Sequence, residues 1–411
     1  MNANYNLEKD GFSGLGIAPA LLDVLARLHF KTPTPIQKKS IPIAIEGKDI
    51  IGVAQTGTGK TLAFGIPMIQ RLNIIKGRGL IIAPTRELAL QVDEALRKVG
   101  SSIGLRTAVL IGGASMGLQV RALQRNPHII IVTPGRLNDF LQQKMIQLNN
   151  VGIVVLDEAD RMLDMGFAPQ IKKIFAVLPV KRQTMLFSAT MPSAILNMAR
   201  MYMKLPIQIE VAPTGTTVEK VTQEIFVVGQ HEKLSLTKKI LEQYKGSVLI
   251  FIRTKHGAKK LTRAIQSMGY PASEIHSNRT LNQRKEALSG FKMGKYKVLV
   301  ATDIASRGID VVGIELVLNY DLPENSEDYV HRIGRTARAG ALGHAISFVT
   351  PDQRRDWLNI ERLMRIRIPI SKTPGLPPAL TVSAYQEKEA KQERGRNSHR
   401  SFHSRRRRRF R

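Results

Sequence analysis

The run Ala54-Gln55-Thr56-Gly57-Thr58-Gly59-Lys60-Thr61 has the residue types and spacing that hold phosphate. Glycines let backbone N–H groups approach phosphate oxygens, the lysine reaches the β and γ phosphates, and the Thr61 hydroxyl can ligate Mg²⁺. Ala54, where a first glycine is usual, is a mild departure. A second run, the acidic Asp157-Glu158-Ala159-Asp160, directly follows the apolar stretch Val151 to Leu156. There Asp157 can hold Mg²⁺, and Glu158 can orient and deprotonate a water attacking a γ-phosphate. Alone, such a run is also what a helix N-terminus favours. In a third segment, His331-Arg332-Ile333-Gly334-Arg335-Thr336-Ala337-Arg338, helical spacing puts His331, Arg335 and Arg338 on one face. Converging guanidinium groups are what the charge of a phosphoryl-transfer transition state needs, and a solvated basic helix is the plainer alternative.

These groups need a scaffold that presents loops at strand ends. The phosphate loop follows the apolar run Ile50–Val53, and further runs occur at Leu80–Ala83, Ala108–Ile111, Ile129–Val132, Ile153–Leu156 and Met185–Phe187, separated by longer amphipathic stretches. Continuous apolar strands alternating with helices predict a parallel sheet covered on both faces, an α/β architecture. The pattern restarts with Ile225–Val228, Val248–Ile252, Val298–Ala301, Leu316–Asn319 and Ala345–Val349. The expected organisation is a first domain over 1–210, a linker over 211–218 containing Pro213 and Gly215, a second α/β domain over 219–370, and a disordered tail over 371–411, Pro-containing and then Arg-rich. The halves share architecture without an obvious sequence repeat.

Charge narrows the partner. The 411 residues carry 62 Lys and Arg against 33 Asp and Glu, a formal +29, which favours a polyanion. Residues 387–411 hold eleven Lys or Arg and three Glu, so the excess extends well beyond the tail. With no cysteine, disulfides and thiolate metal sites are excluded, and the nine histidines show no metal spacing. No apolar export segment opens the chain and no apolar run is long enough to span a bilayer, so a cytoplasmic protein without membrane partners is expected.

Two further strand-to-helix junctions, Pro84-Thr85-Arg86 and Thr133-Pro134-Gly135-Arg136, offer helix N–H groups beside an arginine, suited to nucleic-acid phosphates or to ordinary capping. Aromatics are sparse and Trp357 is the single tryptophan, so base stacking is not evident. Backbone contacts with little sequence preference are expected, and the Arg405–Arg409 run would act as a salt-sensitive tether.

In this order, the segments resemble the DEAD-box ATP-dependent RNA helicases from about Phe12 to Val349. The resemblance implies two tandem RecA-like P-loop domains that close on ATP, Mg²⁺ and RNA and melt short duplexes locally and non-processively. It assigns adenine reading to Gln37, within Phe30-Lys31-Thr32-Pro33-Thr34-Pro35-Ile36-Gln37, with Phe12 stacking on the base. Ser188-Ala189-Thr190 would couple hydrolysis to unwinding through Asp160 and His331. In Thr302-Asp303-Ile304-Ala305-Ser306-Arg307-Gly308-Ile309-Asp310, Thr302 would face RNA while Gly308 and Asp310 reach ATP. Thr85, Arg86, Gly113, Thr133, Arg136 and Arg284 would contact the RNA backbone. The chain is expected to act as a monomer, with ribosomal or messenger-ribonucleoprotein assemblies as candidate partners.

Four positions depart from the family pattern: His29 and Ser277 where glycine is common, Leu281 where glutamine is usual, and Ala337 between the arginines. Leu281 removes a polar side chain expected near RNA. An ATP-dependent RNA clamp and a DNA motor are the competing functional readings, and only the resemblance selects RNA.

Overall fold

The computed structural model describes residues 11–55, 57–211, 221–303, 311, 313–337 and 343–371. The expected linker beyond Val211 and the expected tail beyond Ser371 lie outside them. The chain divides into two compact units, each with its own parallel sheet.

The first sheet contains β1 (Ile50–Val53), β2 (Arg78–Ile82), β3 (Thr107–Leu110), β4 (Ile129–Val132), β5 (Val151–Leu156), β6 (Gln183–Ser188) and β7 (Ile207–Glu210), in the order β3-β4-β2-β5-β6-β1-β7. Alternate residues of one strand serve two cores: Ile129 and Ile131 of β4 join one apolar cluster, Ile130 and Val132 the other. That is why the strand reads as an unbroken apolar run, since both faces are covered. The edge strand β7, not anticipated from sequence, is largely exposed and buries only Ile209.

The second sheet contains β8 (Val221–Val227), β9 (Ser247–Phe251), β10 (Ala272–Ile275), β11 (Val298–Ala301), β12 (Ile314–Asn319) and β13 (Gly343–Val349), in the order β10-β11-β9-β12-β13-β8. Leaving out β7, this is the first sheet's order strand for strand, with β8 in the place of β1 and β12 in the place of β5. Lys233 opens the helix after β8 as Lys60 opens the helix after β1. Asp321 follows β12 as Asp157 follows β5. In the second unit, however, the Lys233 ammonium is spent inside the protein, donating to Asp321 Oδ1 at 2.8 Å and to the Tyr320 carbonyl at 2.7 Å. An internal correspondence that the residue types hide is plain in the topology.

Candidate functional site

The phosphate loop joins β1 to the helix Lys60–Ile75. Gly57 and Gly59 take φ of 86° and 87°, a left-handed region open to glycine at little cost. Gly59 is doubly constrained, because a Cβ there would collide with the Gln37 amide. Lys60 is 6% exposed and its ammonium donates to the Ala54 carbonyl at 3.0 Å, which aims it back across its own loop. Thr58 Oγ1 donates to the Gln55 carbonyl at 2.7 Å, tightening the turn. Gln55, Gly57, Thr61 and Ala54 fall in or beside this loop, and Thr56 lies outside the described residues.

Gln37 braces the loop from outside. Its Oε1 accepts from the Thr34 N–H at 2.9 Å, completing a capping box on the helix Pro35–Ile45, while its Nε2 donates to the Gly59 carbonyl at 3.0 Å. One donor and one acceptor lone pair of the amide remain for a ligand. Phe12, the expected stacking ring, is 4% exposed and sits within the hydrophobic cluster of the first unit.

Asp157 is buried at some cost. It is 2% exposed, and its Oδ1 is buried with no hydrogen-bond partner. Burial pushes its carboxyl up, to about 7, against the pull of the Lys60 ammonium and with Glu158 adding to the rise. Glu158 adopts φ 53°, ψ 53° as the N-cap of the helix Ala159–Asp164, a left-handed conformation that costs a non-glycine residue about 1–3 kcal/mol. Its Oε2 receives the Arg161 guanidinium at 2.7 Å, with both side chains buried. Arg161 was missed in the sequence; its i,i+3 spacing from Glu158 was the available signal.

Asp160 ties this helix to the end of β6. Its Oδ2 accepts from the Ala189 and Thr190 N–H groups, each at 2.9 Å, and from Thr190 Oγ1 at 3.1 Å. Ser188 is fully buried, and its carbonyl accepts from the Ala54 N–H at 3.0 Å. Phosphate loop, acidic run and Ser188-Ala189-Thr190 therefore form one hydrogen-bonded set at the carboxyl ends of neighbouring strands, where open α/β sheets bind ligands.

The junction residues gather around the loop after β3. Arg86 packs its guanidinium on Gly113, whose φ is 74°, so closely that a Cβ there would strike it. Arg136 donates from Nε to the Ile111 carbonyl and from a terminal nitrogen to the Ala114 carbonyl, each at 3.0 Å. Gln119, not singled out from sequence, holds the same loop by bonding both the N–H and the carbonyl of Ile111. Thr85 caps the helix Arg86–Gly100 by accepting from the Leu88 N–H, and Thr133 precedes the helix Pro134–Gln142; both are buried. Arg86, Gly113 and Arg136 are thus brought together, with Arg136 shaping the loop.

In the second unit one expectation is corrected. The helix carrying the arginine segment spans Ser326–Ile333 and ends there, with the Gly334 N–H returning to the Val330 carbonyl. His331 is in its last turn, but Arg335 lies beyond it in a turn, 3% exposed, so the one-face helical arrangement with His331 does not form. Ala337 then turns left-handed at φ 54°, which a continuous helix excludes. Arg332, also buried at 2% exposed, clamps both oxygens of Asp303 at 2.6 and 2.7 Å and reaches the Asn319 side chain and the Asp321 carbonyl. Helical spacing from His331 gives Arg332 no place on the expected face. Thr302, beside Asp303, and Arg284 are both buried. Gly308, Asp310 and Arg338 lie outside the described residues.

Among the described residues no three His, Asp or Glu side chains form a metal cage. A buried carboxylate with one unpartnered oxygen beside a phosphate loop suits Mg²⁺ that shares its coordination with substrate phosphates and water.

The DEAD/DEAH box helicase model matches residues 34–198, and the helicase conserved C-terminal domain model matches residues 232–340. Over 372 residues the chain is 43% identical to the DEAD-box ATP-dependent RNA helicase CshA of Bacillus cereus (strain ATCC 10987 / NRS 248), covering 90% of this chain and 71% of that protein. The CshA of Bacillus subtilis (strain 168) is 42% identical over the same length, with 75% of it covered. Among solved structures, S. cerevisiae Dbp5 bound to RNA and ADP BeF3 matches with a TM-score of 0.81 at 30% identity, covering 89% of this chain and 96% of that one. Mss116p bound to ssRNA and AMP-PNP matches with a TM-score of 0.81 at 28% identity, covering 88% of this chain and 78% of that one.

Proposed function

The chain belongs to the DEAD-box family of ATP-dependent RNA helicases, with two RecA-like domains, and from that premise we propose how its own residues carry the activity. Backbone N–H groups of residues 57–61 and the Lys60 ammonium bind the β and γ phosphates. Gln37 reads adenine with the unused half of its amide, and Phe12 covers the base. Thr61 and Asp157 hold Mg²⁺, which when bound neutralises phosphate charge. Glu158 orients the attacking water and takes its proton. Arg335 and Arg338, aided by His331, Gly308 and Asp310, complete the site when the domains close.

RNA supplies the reason to close. Thr85, Arg86, Gly113, Thr133 and Arg136 on the first domain, with Arg284 and Thr302 on the second, bind its backbone with little regard for sequence. Closure bends one strand and frees the other, so unwinding is local and non-processive and extends to remodelling RNA–protein complexes. Asp160 with Ser188, Ala189 and Thr190 couples the two events. We place the domain boundary in the 211–218 linker and assign the tail over 371–411 to electrostatic tethering of RNA. The protein works as a cytoplasmic monomer on ribosomal or messenger-ribonucleoprotein substrates.

The observation that carries this reading is Asp157: a buried carboxylate with an unpartnered oxygen, beside Lys60, is a standing demand for a cation that arrives with nucleotide. The test is ATP hydrolysis with no nucleic acid, with single-stranded RNA, and with DNA of the same sequence. Of the two nucleic acids only RNA should stimulate, and Glu158→Gln should lower turnover about 1,000-fold to a measurable residual rate while retaining nucleotide binding. Equal stimulation by DNA, or a Glu158→Gln variant as fast as the parent, overturns it.

A further inference from the structure

We propose that Arg161 is a positioning residue for hydrolysis, holding the Glu158 carboxylate in the orientation from which it meets the attacking water. The inference rests on the reading of Glu158 as the base. The two side chains are 2% and 4% exposed and meet at 2.7 Å, so neither solvent nor counterions screen them. A charge-assisted hydrogen bond in that setting fixes direction as well as charge. At φ 53° Glu158 has left the helical path, and the contact to Arg161 brings its side chain back over the first turn.

Arg161 links two acidic residues with different jobs. Its main-chain N–H donates to Asp160 Oδ1 at 3.0 Å while its guanidinium holds Glu158. Since Asp160 Oδ2 is bound to Ala189 and Thr190, the orientation of Glu158 is tied through Arg161 to the end of β6. A shift of that segment is therefore felt at the carboxylate without any contact between the two. The second terminal nitrogen of Arg161 is buried with no hydrogen-bond partner, a costly arrangement for a cation. The planar fork leaves that second donor facing the same buried pocket, where it can bond the Glu158 carboxylate or its water without releasing the first contact.

The test is steady-state ATP hydrolysis at saturating RNA, with nucleotide affinity measured separately using a fluorescent ATP analogue, for the full chain carrying Arg161→Met, Arg161→Lys, Glu158→Gln and the double substitution Glu158→Gln with Arg161→Met. Misplacement of the base predicts a kcat about 100-fold lower for Arg161→Met, with KM and analogue affinity within about threefold of the parent. Arg161→Lys should recover about a tenth of the parent rate, since a point charge replaces a fork. The double variant should be no slower than Glu158→Gln alone, because residues that act as one unit are not additive. The double variant leaves no uncompensated buried charge, so it and the lysine variant carry the test should Arg161→Met fail to fold. A loss that multiplies in the double variant, a loss confined to KM, no recovery with lysine, or a faster Arg161→Met enzyme overturns the proposal. A Glu158→Gln variant as fast as the parent would instead sink the assignment of the base, whatever Arg161 does.

Discussion

Thr190 gives a single oxygen of Asp160 two hydrogen bonds, from its N–H at 2.9 Å and its hydroxyl at 3.1 Å. A hydrogen bond to a charged acceptor contributes about 1.5–3 kcal/mol. Thr190→Val removes one of the two, while the Ala189 and Thr190 N–H groups still hold Asp160, so the segment does not shift and the phosphate loop, Asp157 and Glu158 stay in place. RNA-stimulated ATP hydrolysis should stay within about threefold of the parent, while duplex displaced per ATP falls about tenfold, the equivalent of about 1.4 kcal/mol. Both quantities read from one strand-displacement reaction settle the matter, and a parallel fall in the two would remove coupling from this contact.

Two of the four departures from the family pattern sit on left-handed backbone. His29 has φ 60° and Ala337 has φ 54°. His29 closes the helix Pro19–Arg27, with its own N–H returning to the Ala26 carbonyl and the Phe30 N–H to the Leu25 carbonyl, a geometry usually filled by glycine. His29→Gly and Ala337→Gly should each stabilise by about 0.5–1 kcal/mol, the relief of left-handed strain less the entropy of a freer unfolded chain. Lying in separate units, the gains should add. Thermal unfolding of the two single variants and the double variant measures this, and a lower Tm for either would contradict it.

Arg332 should be the most sensitive position of the second unit. Its removal takes the guanidinium away from the Asp303 carboxylate and from two further acceptors, a loss of about 3–5 kcal/mol. Lysine should not rescue it, because one ammonium cannot grip both oxygens of Asp303 and also reach Asn319 and Asp321. Urea unfolding of Arg332→Lys and Arg332→Met would show it, and a lysine variant of parental stability would refute the geometric argument.

Acid should destabilise the second unit through His276. Burial lowers its pKa, an effect that Arg279 and Arg284 reinforce and that Glu274 partly offsets. Below the ordinary histidine value of about 6.5, the unfolded chain takes up a proton that the folded chain resists. More protons on the unfolded state mean that stability falls as pH drops through that value. His276→Gln should flatten the slope of unfolding free energy against pH between about pH 5 and 7. An unchanged slope would assign the effect elsewhere.

Much of this is legible in the residue pattern alone. The apolar runs that became β1, β4 and β11 were found to the residue, because strands buried on both faces leave an unambiguous hydrophobic mark. β7 and β10 escaped for the opposite reason: Ile207-Gln208-Ile209-Glu210 is an exposed edge, and Ala272-Ser273-Glu274-Ile275 has almost no apolar signature. The phosphate loop and acidic run were visible because their chemistry demands fixed residue types at fixed spacing. Arg161, Gln119 and Arg332 were not, since a side chain that holds other side chains is chosen by three-dimensional proximity. The helical face drawn through His331, Arg335 and Arg338 failed because periodicity says nothing of where a helix stops, and Gly334 stops it one residue before Arg335.

Gln37 imposes a limit on how this molecule can be altered. The amide expected to recognise the base also supports the Gly59 carbonyl and caps its own helix. A substitution that rewrites base preference at this position must also loosen the loop that grips phosphate. Selectivity among nucleotides and affinity for them are therefore a single trait here, and neither engineering nor drift can move one while leaving the other where it stands.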